Sequence, residues 1–87
     1  METSSLYLRP VILRFENTFI ENVAFNYKTL LHLEILNRGD IEFFGNEILK
    51  SSSVDNLVVL SSKENIFIED CYIDHSENEG PSYIKLI

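Results

Sequence analysis

Eighty-seven residues give room for one domain, and a 45% hydrophobic content makes it a packed chain rather than a disordered one. Fourteen acidic against seven basic side chains leave a formal charge of −7, and the few Lys and Arg are scattered, which excludes a nucleic-acid role built on phosphate contacts. The one cysteine excludes an internal disulfide framework, and no apolar run nears the roughly 20 residues of a membrane span.

Residues 1–5 are polar, lack the basic start of a signal peptide and are expected to be disordered. Residues 6–15 are apolar with Arg9, Pro10 and Arg14 interposed. They predict an opening strand over 11–15, with Pro10 at its edge because proline cannot donate to a ladder. Then comes Asn17-Thr18-Phe19-Ile20-Glu21-Asn22-Val23-Ala24-Phe25, the first of three related stretches. Residues 33–36 predict a strand, and Asn37-Arg38-Gly39 a corner in which Gly39 takes a positive φ. The second copy is Asp40-Ile41-Glu42-Phe43-Phe44-Gly45-Asn46-Glu47-Ile48. A connection containing Ser51-Ser52-Ser53 leads to a strand over 58–60. The third copy is Asn65-Ile66-Phe67-Ile68-Glu69-Asp70-Cys71-Tyr72-Ile73. A long loop with Gly80-Pro81 precedes a last strand over 83–87.

Asp40 falls 23 residues after Asn17, and Asn65 falls 25 after Asp40. A repeat of that length means stacked coils. Within each copy the alternation is that of a half-buried strand. It sends Ile20, Phe43 and Ile68 inward and Phe19, Glu42 and Phe67 outward. Asn22, Gly45 and Asp70 then suit a turn. A preceding strand aligns Leu33, Val58 and Ile84 in one column and Ile35, Leu60 and Leu86 in another. The connections that follow the copies vary in length while the corners do not, the habit of a solenoid whose loops project on one side. No stretch has caps and a helical stripe. The fold class is therefore all-β: one domain over 1–87, a parallel solenoid of about three coils with a period of 23–25 residues, expected to be a segment of a longer solenoid.

The third copy, preceded by Asn56-Leu57-Val58-Val59-Leu60-Ser61-Ser62, resembles a coil of the right-handed parallel β-helix proteins, the pectate-lyase-like superfamily. Asn46 matches that family's internal asparagine position, with Val23 and Cys71 expected beside it, the latter as an inert core thiol. The resemblance spans residues 11–87 and implies a fold shared by polysaccharide lyases and hydrolases, tailspikes, adhesins and carbohydrate-binding modules. It places such a chain in an extracellular or virion-associated setting. No Asn-Thr-Asp, Asp-Asp or Gly-His-Gly motif of the hydrolases is present, so no catalytic residue carries over. A second fold reading is a leucine-rich-repeat solenoid, because Ile20-Glu21-Asn22-Val23-Ala24-Phe25 is similar to one bacterial repeat class. The other two copies lack its Ala-Phe pair.

The alternation also predicts one outer face of rings and carboxylates: Phe19, Glu42 and Phe67, beside Glu21, Phe44 and Glu69, with Ala24, Glu47 and Tyr72 after the turn. Candidate binding residues are Phe19, Glu21, Glu42, Phe44, Phe67, Glu69 and Tyr72. Such a face suits carbohydrate, with rings on sugar faces and carboxylates on hydroxyls, or contact with a protein partner or a second copy. No cofactor is implied. Asp70, Asp74, Glu77 and Glu79 cluster near the last loop, but calcium wants six to eight oxygens and a solvated acidic loop accounts for them. His32, expected to point outward in a column with Leu57 and Tyr83, and His75 form no metal or triad spacing. The function expected is a non-catalytic structural or recognition module, with a fragment of a polysaccharide lyase or glycoside hydrolase as the alternative.

Overall fold

A computed structural model describes residues 9–26, 28–74, 76–78, 80 and 82–87. Among these residues nine strands run β1 (Val11–Glu16), β2 (Phe19–Glu21), β3 (Leu31–Glu34), β4 (Gly39–Phe44), β5 (Glu47–Leu49), β6 (Val58–Ser61), β7 (Ile66–Glu69), β8 (Tyr72–Asp74) and β9 (Ile84–Leu86). They form three parallel sheets of three strands, ordered β1-β4-β7, β2-β5-β8 and β3-β6-β9. Each turn of chain gives one strand to each sheet, and the next turn stacks on it in register. The architecture is a three-sided parallel β solenoid of three coils. A leucine-rich repeat would give one parallel sheet, so that alternative falls.

The register between the second and third coils is the one expected from sequence: Ile41 on Ile66, Phe43 on Ile68, Ile48 on Ile73. The first coil is different. The strand that lies under β4 is β1, with Leu13 under Ile41 and Phe15 under Phe43. Phe19 and Ile20 lie under Glu47 and Ile48, in the second sheet. The first repeat is thus 28 residues long, as between Arg14 and Glu42, and the second is 25, as between Asp40 and Asn65. The 23-residue offset is a misalignment. In the third sheet the columns are Leu31–Val58–Ile84 and Leu33–Leu60–Leu86, two residues from the expected pairing at their first member.

The corners explain the true register. Between the first and second strands of each coil the chain needs one left-handed residue, and Asn17 (φ 53°), Gly45 (φ 65°) and Asp70 (φ 53°) supply it in turn. Asn and Asp visit this region because their short polar side chains bond locally, and Gly does so freely. Asn22 (φ 61°) belongs to a second corner, which it shares with Lys50 (φ 52°). Gly39 has a near-extended φ of 159°. What demands glycine there is close approach: a Cβ would stand 2.5 Å from the Val11 carbonyl oxygen.

Polar residues line the inside of both corners. Asn46 is buried; it accepts from the Thr18 N–H (3.0 Å) and donates to the Phe15 carbonyl (2.8 Å). Cys71 sits above it, its thiol donating to the Phe43 carbonyl (3.3 Å). Thr18, not Val23, is therefore the first-coil member of this ladder. Val23 belongs to the next one, where its N–H donates to Ser51 Oγ and the Ser51 N–H donates to Ser76 Oγ, each at 3.2 Å. These side chains satisfy backbone groups that a tight corner leaves without a strand partner.

The core belongs to the middle coil. Ile41, Phe43, Ile48, Val58 and Leu60 are all but sealed from solvent, together with Leu57 and, at the first-to-second coil junction, Ile35. Their stacking neighbours above and below are only partly covered.

Candidate functional site

The seven predicted face residues do not form one surface. Glu42 and Phe67 are neighbours on the first sheet, and so are Phe44 and Glu69. Arg14 and Glu16 stand below them, where Phe19 and Glu21 were expected. Phe19 lies in the second sheet in a column with Glu47 and Tyr72, and Glu21 in a column with Leu49 and Asp74. The left-handed corner of each coil separates the two sets. The cause is the 28-residue first repeat: an alignment on residue 17 puts the right residues outward but on the wrong sheet.

The first-sheet patch is partly neutralised. Arg14 Nε donates to Glu42 Oε1 at 2.7 Å, and this bond, more than the carboxylate's charge, raises the guanidinium pKa above its ordinary value. Phe67 extends the same column and is 44% exposed, and Phe44 is half-buried between Glu16 and Glu69. No sequence signal singled out Arg14. It becomes visible once Phe15 and Phe43 are recognised as equivalent.

The second-sheet patch is more open. Phe19 is 57% and Tyr72 56% exposed, with the exposed Glu47 between them. The Tyr72 hydroxyl donates to Asp74 Oδ2 at 2.9 Å, and that hydrogen bond, then the negative charge of Asp74, raises the phenol pKa. The column therefore offers two rings with a carboxylate between them and a second carboxylate fixed at its upper end. Rings of this kind stack on apolar faces, and the carboxylates accept hydrogen bonds.

The other residues weighed from the sequence are dispersed. His32 stacks with Val59 and Lys85, not with Leu57 and Tyr83, and its Nε2 lies 3.2 Å from Glu34 Oε1. Leu57 is fully buried. His75 and Glu79 lie outside the described residues, as do residues 1–5. Among the described residues no group of three or more His, Cys, Asp or Glu could hold a metal ion. Comparison with protein-family models, with curated proteins and with solved structures finds no match.

Proposed function

We propose that this chain is a non-catalytic structural module of the pectate-lyase-like β-helix kind, working through coil-to-coil contacts at its two ends. The observation that carries the reading is the unequal burial of equivalent residues. Ile41, Phe43 and Leu60 of the middle coil are 0%, 1% and 0% exposed, whereas the inward-facing Ile68 and Leu86 of the third coil are 37% and 55% exposed. The third coil also ends in strands whose outer hydrogen-bonding groups face no further strand among the described residues. Such edges are templates for another parallel strand. What they fit is another β coil, in a second copy or in a longer chain.

The test is the solution mass of the 87-residue chain by light scattering on a sizing column, at two concentrations about fifty-fold apart. The expected result is a defined dimer or larger species whose population grows with concentration. A sharp monomer at both concentrations overturns the reading.

A second reading rests on the column Phe19–Glu47–Tyr72, in which exposed rings flank a carboxylate: this face binds carbohydrate. A glycan array probes it directly. Hits that disappear with Tyr72→Ala and Phe19→Ala support it, and an array without hits rejects it.

A further inference from the structure

The outward column His32–Val59–Lys85 breaks the rule of its neighbours. Alternation along β6 turns Val59 away from the core, since Val58 and Leu60 face inward. Yet Val59 is only 7% exposed. A groove of about 830 Å³ runs over this sheet, with Val59 at its base and Phe25, Lys28, Asp55 and Ile87 among its lining residues. Its walls are fastened. Asp55 N–H donates to the Lys28 carbonyl at 2.8 Å. Asn56 is 5% exposed, and its side-chain amide donates to the Ser82 carbonyl.

The charge of this groove opposes that of the chain. Two of the four lysines, Lys28 and Lys85, line it, in a protein of net charge −7. Of the acidic groups nearby, Asp55 lines it, while Glu34 is held against His32. Lys85 stands directly above the apolar base and has no side-chain partner among the described residues. A concave site of this volume, with Val59 at its base and a rim that is mostly polar, falls in the size range of a small-molecule site. An ammonium beside apolar surface is best matched by an anion on an apolar body, because each half of the ligand then finds its own partner.

We propose that this groove binds a small organic anion, an apolar or ring body carrying one carboxylate, with Lys85 as the charged contact and Val59 as the apolar one. Lys85 and Ile87 belong to the third coil, but the groove lies on the outer face of its sheet, apart from the inward end residues Ile68 and Leu86 and from the Phe19–Tyr72 column, so its ligand is tested separately from both readings above.

Benzoate titrated into the isotopically labelled 87-residue chain, followed by amide NMR, tests it. Saturable shifts centred on His32, Val59 and Lys85 in the millimolar range are expected. Loss of the charge contact in Lys85→Met should weaken benzoate about tenfold, as should replacing the probe by neutral benzyl alcohol. Lys63→Met, at an exposed corner, should leave binding unchanged. Shifts that never saturate or that lie elsewhere overturn the proposal. So does equal binding of benzyl alcohol, or undiminished binding by a Lys85→Met chain whose spectrum shows it folded. Inorganic phosphate binding as tightly as benzoate would overturn the apolar half of the match.

Discussion

Phe15 and Phe43 stack inside the solenoid with ring centroids 5.6 Å apart and planes within 9° of parallel. The pair fixes the first coil under the second. Its ring separation suits offset stacking, which adds about 0.5–1.5 kcal/mol beyond burial. Phe43 is also the largest fully buried side chain among the described residues. Phe43→Ala should therefore cost about 3–5 kcal/mol, a large share of the margin of a domain this size. Ile68→Ala, in the same column but 37% exposed, should cost well under half as much. Urea denaturation of both variants checks the ratio. Equal costs would mean that the third coil is covered in solution.

Asn46 ties two coils together through the Thr18 N–H and the Phe15 carbonyl. Replacing it leaves both backbone groups without that partner inside the corner. Asn46→Ala and Asn46→Val should each lose about 1–3 kcal/mol, with valine giving no rescue despite its bulk. The amide of Thr18 should lose protection against hydrogen exchange in both variants. Protection unchanged at Thr18 would show the bond to be dispensable.

The sequence made the second and third coils legible because polar corner residues recur there at one spacing and the inward strand positions are apolar. It misled in the first coil for a specific reason. Phe19-Ile20-Glu21 repeats the order of Phe67-Ile68-Glu69, ring out, Ile in, carboxylate out, yet the two triplets lie in different sheets. Period-two alternation assigns faces, and it cannot say which side of a three-sided coil a strand occupies. The discriminating signals were the left-handed residues Asn17, Gly45 and Asp70 and the rings Phe15 and Phe43 before them. The groove over Val59 was illegible for another reason. Leu57-Val58-Val59-Leu60 reads as an uninterrupted apolar run, and only the folded connections show that an outward valine is covered.

Two serines on the Ser51-Ser52-Ser53 connection should respond oppositely to the same change. The Ser51 hydroxyl donates to the Leu49 carbonyl (3.0 Å) and accepts from the Val23 N–H (3.2 Å). The Ser53 Oγ is buried with no hydrogen-bond partner among the described residues. A satisfied hydroxyl holds its neighbours, whereas an unsatisfied one carries a desolvation cost with nothing in return. Ser51→Ala should lose about 1–2 kcal/mol and Ser53→Ala should be neutral or gain up to about 1 kcal/mol. Thermal melts of the two variants test this, and a destabilised Ser53→Ala would reveal a bound partner for that hydroxyl.

The Tyr72–Asp74 bond gives the second-sheet face a pH signature. Hydrogen bonding to the Asp74 carboxylate raises the Tyr72 phenol above its ordinary value of 10.0. A raised folded-state pKa means that the bond's contribution is complete below the unfolded value and is lost as pH rises through the folded one. The phenol proton is what the carboxylate accepts, so its removal leaves two negative groups side by side. Tyrosinate absorbance in the near ultraviolet should show one of the chain's tyrosines titrating late. Asp74→Asn removes the charge and should bring that tyrosine down toward the ordinary range. If the late titration survives Asp74→Asn and vanishes in Tyr72→Phe, another group holds the phenol, and Asp74 is not the carboxylate that orders this face.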